Sequence, residues 1–193
     1  MTEQVIQLIV GLGNPGDKYS KTRHNAGFWF IDALAEKYGA SFKTETKFSG
    51  ELAKATIDGN AVWLLKPSTF MNRSGLSAHQ VTQFYKIPTE KVLVVYDELD
   101  LPVGTARLKK SGGHGGHNGL RDLHAQITKE YLRLRLGIGH PGDSKKVADY
   151  VLSRPNQNDD IAIVNAIDRS LDVIPQVIAG DLQKAMNILH TET

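Results

Sequence analysis

A histidine and an aspartate, His24 and Asp97, are the residues of this chain best suited to move a proton. His24 sits in Arg23-His24-Asn25, just before a stretch of helical period, and Asp97 ends the apolar run Val92 to Tyr96. A carboxylate beside an imidazole fixes its tautomer and stabilises the imidazolium that forms on proton abstraction. A lone histidine at a helix start is more often solvated or bonded locally, so the reading requires that the two side chains meet. No Gly-x-Ser-x-Gly elbow accompanies the pair. The chain has no cysteine, which also removes disulfides, thiolate nucleophiles and Cys-ligated zinc. The nucleophile such a pair would activate is water.

Other stretches carry chemistry only in the right context. Gly11-Leu-Gly-Asn-Pro-Gly16 matches a Gly-x-Gly-x-x-Gly pattern after a strand. A dinucleotide fingerprint needs a helix opening at once and an acid ending the next strand. Here Pro15 interrupts, and Asp32 and Glu36 fall inside the first helix. The stretch reads as a tight turn, or as a ligand-lining turn in which Asn14 offers an amide. The run Asp97-Glu-Leu-Asp100 is an acidic solvated loop or part of a hard-cation site. Gly112, Gly113, Gly115 and Gly116 surround His114 and precede His117, so backbone amides can approach a ligand closely. The two histidines also invite a zinc reading, although no further ligand has a recognisable spacing. Arg107, Lys109 and Lys110 precede this loop, and Arg133 and Arg135 share a face of the strand after it. Such cations suit phosphate, or simply a solvated face. Phe70-Met71 reads as core, and Asn72 as a helix cap.

The elements that must hold these residues are those of an α/β chain. Val5–Leu12 and Val92–Tyr96 read as buried strands, Glu51–Ile57 and Ala61–Lys66 as a hairpin around Asp58-Gly59-Asn60, and Thr105–Lys110 and Leu132–Ile138 as further strands. Helices are expected through Phe28, Ile31, Leu34 and Tyr38, ended by Gly39; through Ala78, Val81 and Phe84, stopped near Pro88; and through Leu120, Leu123 and Ile127. Two more run through Val164 to Ile174, until Pro175, and from about Asp181, a candidate cap, to Leu189. The expected architecture is one compact domain over residues 1–193, a twisted mixed sheet with helices on both faces. Ligands of such sheets lie beyond the carboxyl ends of parallel strands, which singles out the residues after Leu12 and after Tyr96.

Composition bounds the alternatives. The 193 residues are 40% hydrophobic and 23% charged, too apolar for disorder. The net charge of +2 permits a nucleic-acid partner without requiring one, and excludes a polybasic tail protein. Glu3 is the sole early charge, Gln7 interrupts the first apolar stretch, and no apolar run approaches a membrane span. A cytoplasmic protein without a membrane association is expected.

Taken in order, these motifs resemble one family, the bacterial-type peptidyl-tRNA hydrolases. The matching segments are Val10–Gly16 with Tyr19, Thr22–Gly27, Pro67–Asn72 with Ser74-Gly75, Asp97–Pro102, Gly112–Leu120, Arg133–Gly142, and Lys184–Asn187. The resemblance implies cleavage of the ester joining a peptide to the 3′-terminal ribose of tRNA, and recycling of peptidyl-tRNA released from stalled ribosomes. It implies a monomer that needs neither cofactor nor metal. By position, His24 resembles the general base, Asp97 the residue that keeps it basic, and Asn14 the residue that tells N-blocked from free aminoacyl groups. Tyr19, Phe70, Asn72 and Asn118 match positions lining the site for the peptide and the tRNA 3′ end, Met71 and His117 its walls and gate, and Lys109 and Arg135 a phosphate clamp. Tyr96 stands where relatives often have histidine, and Ser111 where they have glycine. Three other readings stay open on the residues: a metal-dependent phosphoesterase using Asp97, Asp100, His114 and His117, an RNA-binding domain without catalysis, and, last, a dinucleotide-binding enzyme.

Overall fold

The computed structural model describes residues 5–191. Seven strands form one sheet in the order β2-β3-β4-β1-β5-β7-β6. They are β1 (Leu8–Gly11), β2 (Lys43–Glu45), β3 (Gly50–Ile57), β4 (Asn60–Pro67), β5 (Val92–Glu98), β6 (Ala106–Lys110) and β7 (Leu132–Gly137). The four central strands, β4, β1, β5 and β7, run parallel, and the outer pairs β2/β3, β3/β4 and β6/β7 are antiparallel. The expected mixed sheet is therefore present.

β1 and the first five residues of β5, at the centre, are apolar because both faces are covered. Side chains alternate across the sheet. Ile9, Leu93 and Val95 join one core with Phe30, Ile31, Ile167 and Leu189. Leu8, Val10, Val92, Val94 and Tyr96 join a second core with Ala78, Val81, Leu120 and Leu123. The first face carries α1 (Ala26–Lys37), α5 (Gln157–Ile178) and α6 (Leu182–Thr191), and the second α2 (Ser74–Tyr85) and α3 (Asn118–Ile127).

The hairpin turns through Asp58 and Gly59 at φ 49° and 82°, with Ile57 opposite Asn60. Two positive φ values match the twist of the flanking strands. One expectation changes, and two elements are added. The fifth helix does not stop at Pro175 but runs on to Ile178. Val173, Ile174, Val177 and Ile178 are all buried, and that packing holds the last turn despite the lost backbone donor. The short strand β2 and the five-residue helix α4 (Val147–Val151) carry no periodicity long enough to read from sequence.

One close approach sets the position of the site. A Cβ on Gly11 would lie 2.5 Å from the Gly27 carbonyl oxygen, and one on Gly27 would collide with the Val95 carbonyl and the Leu12 amide nitrogen. Glycine at both places lets the start of α1 rest directly on the ends of β1 and β5. The 3-10 turn Arg23–Asn25, just before α1, is thereby pressed against the carboxyl end of β5.

Candidate active site

All four parallel strands discharge into one place. Asn14 follows β1, Phe70 to Asn72 follow β4, Asp97 lies at the end of β5, and the segment containing α4 follows β7. This is the strand-end location that the sheet topology favours for ligands.

His24 and Asp97 meet there. His24 Nδ1 lies 2.8 Å from Asp97 Oδ2, with Asp97 fully enclosed and His24 nearly so. Burial by itself would lower the histidine pKa, but the charge and hydrogen bond of Asp97 outweigh it, and the net shift is upward. Burial likewise opposes the Asp97 charge, yet the two neighbouring imidazoles hold its pKa below the usual carboxylate value. An ionised Asp97 accepts at Nδ1–H and leaves His24 Nε2 with its lone pair, the form a general base requires.

The second oxygen of Asp97 is also taken. His117 Nε2 lies 2.8 Å from Asp97 Oδ1. His117 precedes α3, and its Nδ1 accepts from the amides of Gly119 and Leu120 at 3.1 and 3.3 Å. Two N–H donors face that nitrogen, so the neutral imidazole carries its proton on Nε2 and donates it to Asp97. His117 is thus a helix cap and a support for the carboxylate together. The Tyr96 ring stands edge-on to it, with centroids 5.2 Å apart, and burial pushes the Tyr96 phenol up to about 12.

Asn14 is fixed from three sides. Its backbone N–H donates to Asn25 Oδ1, its carbonyl accepts from Asn25 Nδ2, both at 2.9 Å, and its side-chain Oδ1 accepts from the Met71 amide at 2.7 Å. The last bond orients the amide: oxygen toward Met71, nitrogen left as a donor. The sequence offered Asn14 as donor and acceptor; the structure commits the acceptor elsewhere. Asn118 is oriented the same way, because its Oδ1 accepts from Arg121 at 3.2 Å.

A cavity of about 280 Å³ gathers Asn14, Tyr19, His24, Phe70, Met71, Asn72 and Asn118, with α4 and Leu152 as one wall. Phe70 is exposed and stands edge-on to Tyr19, with centroids 6.2 Å apart. An adjoining cavity of about 270 Å³ shares His24 and Asn118 and adds Asp97, His117, Gly115 and Gly116.

Lys109 and Arg135 line neither cavity. Lys109 is exposed at the base of the glycine loop, its amine against Gly112, and Arg135 Nε bonds Glu98 Oε1 at 3.0 Å. Arg133 is not an open cation at all. It is buried, and its guanidinium donates to the carbonyls of Gly112 and Gly113 and over the Tyr131 ring. It anchors the glycine loop, whose first residue, Ser111, adopts φ 54°, a conformation glycine would take more easily.

Two residues and one role lie outside the sequence reading. Asn25 holds the backbone of Asn14. Arg23 bonds Ser153 Oγ at 2.5 Å and the Tyr150 carbonyl at 3.1 Å, and lies 3.9 Å over the Tyr150 ring, fastening the α4 wall to the base. The capping role of His117 was the third. No signal in the sequence marks the first two, since Arg23 and Asn25 continue the polar stretch that begins at Asp17.

The cation site envisaged over Asp97, Asp100, His114 and His117 does not form. His114 accepts from the Gly116 amide at 3.0 Å, and its ring stands 5.7 Å from that of His124. Among the described residues, the side chains close enough to share a cation are His24, Asp97 and His117. There the nitrogens that face Asp97 are its hydrogen-bond donors, as described above.

A buried histidine with a carboxylate behind it, beside a cavity lined by amide donors, fits a class: the hydrolytic α/β enzymes. The model of the peptidyl-tRNA hydrolase family matches residues 8–193, and the chain belongs to that family. It is 54% identical to a peptidyl-tRNA hydrolase of Neisseria meningitidis serogroup A over 188 residues, covering 97% of this chain and 98% of that one. A peptidyl-tRNA hydrolase of Stenotrophomonas maltophilia is 53% identical, over 96% and 97%. The crystal structure of peptidyl-tRNA hydrolase from Acinetobacter baumannii superposes with a TM-score of 0.95 at 46% identity, over 98% and 96%.

Proposed function

We infer that this protein hydrolyses peptidyl-tRNA, and that it does so with a water deprotonated by His24. Membership of the family supports the reaction. The observation that carries the mechanism is the paired hold on Asp97, which leaves His24 Nε2 as the free lone pair. In this reading Nε2 takes a proton from water as the hydroxide attacks the ester carbonyl. The oxyanion that forms is met by Asn14 Nδ2–H. Collapse of the intermediate breaks the bond to the ribose 3′ oxygen, which leaves with the proton held by His24.

The same amide accounts for selectivity. Asn14 has given its acceptor to Met71, so it offers the substrate a donor alone. A peptide or N-acyl carbonyl suits that donor. The ammonium of a free aminoacyl group would meet N–H with N–H. Lys109 and Arg135, outside the cavities, would bind tRNA phosphate at a distance from the ester. We take the chain to act as a monomer in the cytoplasm, returning peptidyl-tRNA dropped by stalled ribosomes to use. No described helix is long and apolar enough to cross a membrane.

The test is hydrolysis of an N-acetylaminoacyl-tRNA by wild type and His24→Ala, each with and without EDTA. Chelator-resistant cleavage that falls by at least about 10³-fold in the variant is expected for loss of a general base. Cleavage that survives the substitution would overturn the assignment of His24, and cleavage abolished by EDTA would reopen a metal mechanism.

A further inference from the structure

A third cavity, of about 240 Å³, meets the site on the far side of Asn14 from the glycine loop. Asn14 lines both this cavity and the one that holds His24. Its other walls are the Pro15–Ser20 turn, Phe28 and Trp29 of α1, and Lys66 to Ser68 at the end of β4. Neither Asp97 nor His24 reaches it.

The cavity has a built charge pattern. Lys66 Nζ lies 2.9 Å from Asp32 Oδ1 and 3.9 Å from Glu51 Oε2, above the Phe28 ring at 5.1 Å. The lysine side chain is only 16% exposed, whereas those of Asp32 and Glu51 are 52% and 42% exposed. The ammonium is therefore withdrawn and neutralised, and the carboxylates face solvent. With Asp17, three acids stand against one base on these walls. The cavity at the other end differs: its two acids are paired, Asp97 with His24 and His117 and Glu98 with Arg135, the backbone of Gly115 and Gly116 lines it with Ser144, and exposed Lys145 and Lys146 follow.

An ester held at His24 has two arms, a polyanionic tRNA and a peptide. A polyanion is repelled from walls with excess carboxylate and drawn toward amides and lysines. The apolar faces of Phe28, Trp29, Pro15 and Pro67 suit a peptide. We propose that the cavity formed by Asn14, Phe28, Asp32, Glu51 and Lys66 is a subsite for the peptide residue preceding the ester-linked one, and that it prefers a cationic side chain there. The proposal rests on the hydrolytic reading above.

Two substrates test it: N-acetyl-Lys-Ala-tRNA and N-acetyl-Glu-Ala-tRNA, alike except for the charge at the second residue from the ester. Partly exposed charges at this range predict a KM for the Glu substrate on the order of fivefold above that for the Lys substrate at low salt. The Glu51→Gln variant should shrink that ratio, and 0.5 M salt should do the same in wild type. Comparing two substrates on one variant cancels any loss of folded enzyme. Equal KM values in wild type, or a ratio that Glu51→Gln leaves intact, would overturn the subsite. If neither substrate were cleaved, the hydrolytic reading itself would fall, a result distinct from cleavage without discrimination.

Discussion

Asp97→Asn should inactivate the enzyme through a tautomer conflict rather than through lost charge alone. The carboxylate now accepts from both imidazoles, at 2.8 Å on each side. An asparagine has one acceptor and one donor to place in the same two positions. His117 decides the outcome, because its Nδ1 is held by the amides of Gly119 and Leu120 and its proton must sit on Nε2. The asparagine oxygen must therefore turn to His117, and its NH2 to His24 Nδ1. That forces the His24 proton onto Nε2, the atom that should be the base. A comparable substitution behind the histidine of a serine protease costs about 10⁴-fold in kcat, which corresponds to about 5 kcal/mol of barrier. A loss of about 10³- to 10⁴-fold in kcat/KM is expected here, measured by release of N-acetylamino acid from labelled N-acetylaminoacyl-tRNA. The decisive companion is the double variant Asp97→Asn/His117→Ala. With His117 gone, the asparagine oxygen is released to His24, and activity should recover about tenfold or more over Asp97→Asn alone, despite the lost helix cap. If Asp97→Asn stays within tenfold of wild type, or the double variant is no better than the single, the tautomer argument is refuted.

Four further outcomes follow from the geometry. The pKa of His24 is raised, and the base acts when neutral, so log kcat/KM should climb with pH through a pKa above 6.5 and level off beyond it. The stability that the pair contributes runs the other way, complete below 6.5 and lost as pH rises through the folded value, which a series of urea melts can follow. Asn14→Asp replaces the remaining donor with an acceptor; the preference for N-acetylated over free aminoacyl-tRNA should fall at least about tenfold, and an unchanged ratio would remove Asn14 from selection. Lys109→Ala and Arg135→Ala should raise KM more than they lower kcat, and each should flatten the slope of log KM against log salt by about 0.7–0.9. The Arg135 effect should be the smaller, because Glu98 already partners it.

The sequence located the site better than it described it. Asp97 and Asn14 stand out because one ends an apolar run and the other lies in a glycine turn, and strand ends collect ligands in parallel sheets; His24 does neither and is marked only by its place before a helix and by the resemblance. Partner choice was not readable. Arg133 looks like Arg135 in sequence, two residues away on the same strand face, yet one is buried against loop carbonyls and the other pairs with a carboxylate. That difference depends on where the glycine loop folds back, which is a tertiary fact. Asn25 was passed over for the same reason, since its value lies in bonds to a residue eleven positions earlier. The fold was legible wherever periodicity ran for several residues, and α4 was lost because five residues give no period to detect.

The double grip on Asp97 also makes the active site a late product of folding. Its three members come from three separate stretches of chain: His24 from between β1 and α1, Asp97 from the end of β5, and His117 from between β6 and α3. A nascent chain that has paired β1 with β5 but has not yet laid α3 down has its carboxylate held on one side only. The second hydrogen bond that fixes the carboxylate should therefore form only with the docking of α3. For an enzyme whose substrate is also what carries every growing chain, its own included, the last touch on the carboxylate behind His24 comes from a segment made after β5.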